Sequence, residues 1–178
     1  MGEVLIVIAA IAAALVAGIL IYATTKPDGF EVARSVRIKA APEKIFPLVD
    51  NLHSFNTWNP FMKKDPAVKL AYSGPVSGSG AAQEWEGNSS VGKGRVEITG
   101  SSPSSRIAMK LDMLSPMEGH NVVEFSLKPD GDATTVTWAM SGRCHYLAKV
   151  MSTICSMDKM IGGEFEKGLA DLKALAEG

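Results

Sequence analysis

The chain has 178 residues, 46% of them hydrophobic, with 18 basic residues against 19 acidic ones. That length supports one domain with a sizeable core and leaves little for a second. The near-balanced charge, with no basic run interleaved with aromatics, argues against a nucleic-acid partner, and two cysteines, Cys144 and Cys155, are too few for a disulfide framework.

From Val4 to Thr25 no residue is charged, and a helix over this stretch is about 33 Å long, against a hydrocarbon core of about 30 Å. A signal peptide would place basic residues ahead of a shorter apolar run, whereas only Met-Gly-Glu precedes this one. The alternative, a very apolar buried helix, meets the difficulty that nothing on the segment offers a polar face to water. We therefore expect a transmembrane helix and linker over residues 1–29, with membrane contact through residues 4–25. Lys26, Arg34, Arg37, Lys39 and Lys44 follow the span and no basic residue precedes it, which puts the downstream domain, residues 30–178, in the cytoplasm. Pro27 and Gly29 break the helix as it leaves the membrane.

FEVARSVRIKA, from Phe30, alternates Phe30, Val32, Arg34, Val36 and Ile38 with polar or small residues, the period of a half-buried strand. APEKIFPLVDNLHSFNTWNP reads as two short helices, opened at Pro42-Glu43 and ended by Asn59-Pro60. Six strand-sized pieces follow between Val68 and Gly142: VKLAYSG, GAAQEWEG, GKGRVEIT, SRIAMKLDM, NVVEFSLK and ATTVTWAMSG. Short connections between them predict antiparallel pairing, with Asp130-Gly131 the strongest tight-turn signal. From Tyr146 to about Ala176 the spacing predicts one long helix or two in line. A cysteine at 155 well inside it would lie roughly 16 Å from Cys144 by helical rise, too far to bridge.

The order strand, two small helices, six strands, long helix is that of the helix-grip fold. RSVRIKAAPEKIFPLVDNLHSFNTWNP, YSGPVSGSGAAQEWEGNSSVGKGRVEI, TTVTWAM and MDKMIGGEFEKGLADLK resemble the SRPBCC superfamily, specifically its polyketide cyclase/dehydrase and START-like lipid transport group. The resemblance covers residues 30–178. It implies an α+β, START-like fold: a seven-stranded curved antiparallel sheet wrapped around a C-terminal helix, with a cavity between them. It leaves function open, because the superfamily includes hydrophobic-ligand binders, lipid carriers, cyclases, oxygenase subunits and chaperone activators.

On a helical wheel Leu147, Met151, Ile154, Asp158, Ile161, Phe165, Leu169 and Leu172 share one stripe, flanked by Gly162 and Gly168. Gly162 and Gly163 each cost the helix roughly 1 kcal/mol relative to alanine. Three explanations stand: close approach of helix to sheet or ligand, a kink, or a break between two helices. Asp158, in line with leucines, needs a partner if buried, and Arg34 on the apolar phase of the first strand is the candidate. Either the two pair, or each escapes to solvent, or one fixes the polar end of an apolar ligand.

Nine methionines, among them Met109, Met113, Met140, Met151, Met157 and Met160, suit either core filling or a pliable pocket lining. Trp58, Trp85 and Trp138 read as core or cavity wall. The expected ligand cavity is lined by Arg34, Trp58, Trp85, Met109, Met113, Trp138, Met140, Met151, Ile154, Asp158, Ile161, Gly162 and Phe165. Glu84 and Glu86 share the opposite phase of their strand, a solvated face. The three histidines are scattered, and no motif calls for a catalytic residue, cofactor or metal. The reading is a membrane-anchored binder or transporter of a small hydrophobic or lipid-like molecule, with no protein partner identified. The alternatives are a cyclase/dehydrase-type enzyme, with Asp158 as a proton shuttle, and a protein-interaction module similar to chaperone activators.

Overall fold

The computed structural model describes residues 2–144, 149–150 and 157–178. Its first element, α1 (Gly2–Thr24), is long and apolar enough to cross a membrane, a property that signal sequences share, and of its residues only Ala23, in the last turn, is buried within the chain. Four residues separate it from β1 (Gly29–Ile38), on which the period of two holds: Val32 and Ile38 are buried while Glu31, Ala33, Ser35 and Arg37 are exposed. Two short helices follow, α2 (Pro42–Asp50) and α3 (Leu52–Trp58). Proline at the first turn of α2 costs no hydrogen bond. Asn51 separates the two helices and caps the second, its side-chain oxygen accepting from the backbone N–H groups of His53 and Ser54.

Six strands then run as a meander: β2 (Lys69–Ser73), β3 (Ala82–Glu86), β4 (Lys93–Ser102), β5 (Arg106–Ser115), β6 (Gly119–Asp130) and β7 (Ala133–Arg143). All neighbours are antiparallel, in the order β1-β7-β6-β5-β4-β3-β2. The β6–β7 hairpin turns in two residues, with Asp130 opposite Ala133 and Gly131 at a φ of +66°, a conformation that favours glycine. The first strand of the sheet pairs with the last, Gly29 opposite Arg143 and Ile38 opposite Thr134. The chain crosses to the other edge through α2 and α3, which cover the concave face.

The last helix, α4 (Met157–Glu177), packs against β1 and closes the layer. It runs unbroken through Gly162 and Gly163, so a break between helices at the glycine pair is excluded. The register also assigns the loops to two ends. Glu86 opposite Lys93, Met113 opposite Gly119 and Gly29 opposite Arg143 put the connections at 87–92 and 114–118 at the end where β1 begins. The connections at 74–81, 103–105 and 131–132 lie at the other end.

Candidate ligand cavity

The sheet's concave face is not filled along its whole length. Between it and the helices lies a cavity of about 590 Å³. Alternation along the strands sends Trp85, Val96, Met109, Leu111, Met113, Val123, Trp138 and Met140 to its wall. Ile161 and Phe165 close it from α4, and Phe55 from α3. On β3 the partners of these inward residues face water: Glu84 and Glu86 are exposed and pair with Arg95 and Lys93.

Few polar groups reach this wall. Gln83, 2% exposed, accepts a hydrogen bond at 2.5 Å through Oε1 from Asn56 Nδ2, which also donates to Tyr72 Oη at 2.9 Å. Among the described residues the other end of the Gln83 amide meets only the Met62 sulfur, at 4.0 Å, a weak acceptor that leaves donor capacity in hand. Asn59 Oδ1 accepts from the Phe61 N–H at 3.1 Å. Trp138 Nε1, on the wall, and Asn56 Oδ1, on a residue outside the lining, are buried without a partner among the described residues, so spare hydrogen-bonding capacity lies at and behind the wall. Toward the end where β1 begins, the lining includes Phe30, Ser90, Pro116, Met117, Glu118, Asn121 and Arg143.

Of the residues expected around a ligand, seven meet at this cavity: Trp85, Met109, Met113, Trp138, Met140, Ile161 and Phe165. Met151 and Ile154 lie outside the described residues, as does Cys155. Trp58 is 1% exposed and sits behind the wall, its Nε1 donating to the Leu48 carbonyl at 2.8 Å. Its ring meets Phe125 and Trp138 edge to face. Met160, read as a possible lining residue, turns outward and is 62% exposed.

Arg34, Asp158 and Gly162 form a separate structure outside the cavity wall. The Arg34 guanidinium donates to both Asp158 carboxylate oxygens at 2.9 and 3.0 Å and to Glu166 Oε1 at 2.7 Å. A Cβ on Gly162 would fall on that guanidinium. The glycine therefore makes room for an arginine rather than for a ligand. The Asp158 side chain is 57% exposed, which corrects its expected place on the cavity wall. Its partner Arg34 is itself partly exposed on the edge strand β1, so the pair forms at the surface although Asp158 is in line with Phe165. The hydrogen bond from Arg34 holds the Asp158 carboxyl below the usual carboxylate range. Gly168 is the true point of close approach: a Cβ there would lie 2.8 Å from both Pro60 Cδ and Trp138 Cζ3.

Sequence reasoning passed over Gln83, Asn59, Phe61, Met62, Asn121 and Arg143. Gln83 carried a signal, since two residues before Trp85 it shares that residue's face of β3, opposite Glu84 and Glu86. Asn59 was read only as a helix stop. Asn121 and Arg143 sit at strand ends, where burial phase says little.

A family model described as polyketide cyclase/dehydrase and lipid transport matches residues 29–177. Among solved structures, protein CV1439 from Chromobacterium violaceum is similar with a TM-score of 0.60 at 14% identity, over 86% of this chain and 99% of that one. The Aha1 dimer from Colwellia psychrerythraea gives 0.56 at 19% identity, over 83% and 96%. DynU16, a putative protein in the dynemicin biosynthetic locus, gives 0.58 at 17% identity, over 85% of this chain and 48% of that one. At these identities the likenesses carry the fold alone. None of the curated proteins matches the chain.

Proposed function

The chain belongs to the polyketide cyclase/dehydrase and lipid transport family, and from that premise we propose that it is a membrane-anchored binder or carrier of a small hydrophobic, lipid-like molecule. The observation that carries this reading is the cavity itself. Its 590 Å³ fall within the range of small-molecule sites, and its wall is apolar with a few convergent polar groups. Met109, Met113 and Met140 on that wall have unbranched, rotatable side chains that adapt to apolar shapes of varied outline. An amphiphile places its chain against them and its polar end near Asn121 and Arg143. The anchor is α1, and the domain following it lies on the cytoplasmic side.

Asp158 has no part in this chemistry. A proton shuttle must come within hydrogen-bond reach of the reacting group, and this carboxylate is held outside the wall by Arg34. Binding without turnover is accordingly the reading that the geometry supports best.

The test uses the full chain in lipid nanodiscs. Native mass spectrometry after release should find a retained small molecule, and a pyrene-labelled fatty acid should load the chain. Met113→Trp adds bulk on the wall and should lower loading by about tenfold or more with circular dichroism unchanged. A chain that neither retains nor loads such a molecule, or equal loading by the variant, overturns the proposal.

A further inference from the structure

The cavity and the anchor meet at one end of the molecule. The connection at 87–92 supplies Ser90 and Val91 to the lining, that at 114–118 supplies Pro116, Met117 and Glu118, and β1 supplies Phe30, its second residue. The same end receives the chain from α1. Between Thr24 and Gly29 the backbone can span at most about 18 Å, and the last turns of α1 carry the marks of a membrane interface. Tyr22 is exposed there, and the Lys26 ammonium lies 5.5 Å from its ring centroid. The hairpin joining β5 and β6 also departs from an ordinary soluble turn. Leu114 and Met117 are 55% and 52% exposed, beside Pro116.

We infer that the β5–β6 hairpin tip, Leu114 to Met117, dips into the bilayer that holds α1 and forms a portal through which a lipid-like molecule passes between membrane and cavity without crossing water. This rests on the ligand reading above and adds its route. The tether restricts which part of the domain can touch the membrane: the end where β1 starts lies within one short linker of the interface, and the opposite end is a full strand length further away. Two apolar side chains held outward at that near end lose contact with water by inserting. Met117 belongs both to the exposed tip and to the cavity lining, so the chain of a molecule leaving the acyl layer beside it passes from tip to cavity along one apolar side chain, while Asn121 and Arg143 at the same end remain for its polar group.

The experiment places an environment-sensitive fluorophore on the full chain in phosphatidylcholine nanodiscs, at Met117→Cys and, as control, at Val76→Cys, with Cys144 and Cys155 replaced by serine. Val76 is 72% exposed and lies in the connection at the far end. Lipids carrying a nitroxide high on the acyl chain should quench the label at position 117 and shift its emission to the blue, leaving the label at 76 unaffected. A second measurement needs no label: Leu114→Asp, at an exposed residue outside the lining, should slow loading of the pyrene-labelled fatty acid from the bilayer by about tenfold, with the amount bound at equilibrium unchanged. A label at 117 that stays as wet as that at 76, or loading by Leu114→Asp at the wild-type rate, overturns the portal. Quenching at 117 in a chain that binds no fatty acid would leave the membrane contact standing and overturn the ligand reading instead.

Discussion

The two ends of α4 face the same sheet and end in opposite conditions. Toward the C-terminus, Phe165, Leu169, Leu172 and Ala176 are buried at 1% exposure or less, and Phe165 stacks on Trp138 with centroids 4.1 Å apart. Trp138 in turn touches Phe125, Trp58 and Phe55, so rings interlock from helix to sheet to α3. Toward the N-terminus Ile161 lines, with Met109, Met113, Met140, Phe30 and Trp85, a space that stays open. The difference lies in reach: at one end the rings of Phe165, Trp138, Phe125 and Trp58 meet one another, and at the other the side chains stop short of one another. Stability should therefore concentrate at the closed end and ligand exchange at the hollow one.

The sharpest way to break that contrast is to truncate one residue at each end. Trp138→Ala removes the ring at the junction of the aromatic cluster and should cost about 3–5 kcal/mol, whereas Met113→Ala enlarges a space already hollow and should cost about 1 kcal/mol. Urea titration of both variants in nanodiscs, followed by circular dichroism, measures the difference. Equal losses would show that the cavity wall carries as much stability as the cluster.

Glycines on α4 sharpen the same contrast at smaller scale. Gly168→Ala puts a Cβ against Pro60 and the Trp138 ring and should lose about 1–2 kcal/mol despite its better helix propensity. Gly163→Ala points into open space and should gain about 0.5–1 kcal/mol. Thermal unfolding reads the opposite signs directly, and a gain at both positions would mean that the helix is free to move away from the sheet.

The smallest effect belongs to the exposed ion pair that ties α4 to β1. Asp158 has a lowered pKa in the folded chain, so its contribution to stability is present above the ordinary carboxylate value. It disappears as pH falls through the depressed one, below about pH 4. Asp158→Asn should lower stability slightly at neutral pH and flatten that acid limb. An unchanged acid limb would assign it to the other carboxylates.

Much of this architecture was legible in the residues. Strand phases followed from alternation, and two charges on apolar phases named Arg34 as the candidate partner of Asp158, one of three readings, of which the structure shows the pair. The seven-stranded curved sheet around the last helix came from resemblance, and the pairing of β1 with β7 emerged only from the structure, since pairing between strands so distant in sequence leaves no local mark. What the wheel misjudged was depth. It treats a helix as facing its sheet along its whole length, and so placed Asp158 and Gly162 on the cavity wall. Trp58 was likewise given to the cavity because its size said core or wall, and only the α3 packing decides which. The polar wall residue Gln83 was hidden behind its neighbour Trp85, whose hydrophobic signal dominated the strand.

The pairing of β1 with β7 also sets a timetable. Residues 29–38 leave the ribosome first after α1, and their hydrogen-bonding partners, 134–143, follow roughly a hundred residues later. Throughout that interval β1 waits as an unpaired edge, the kind of surface that recruits other chains. Its outward residues include Glu31 and Arg37, with Lys39 just beyond, and charges on an exposed strand edge discourage such recruitment. The same residues that keep the finished sheet soluble thus guard the nascent chain until its last strand arrives.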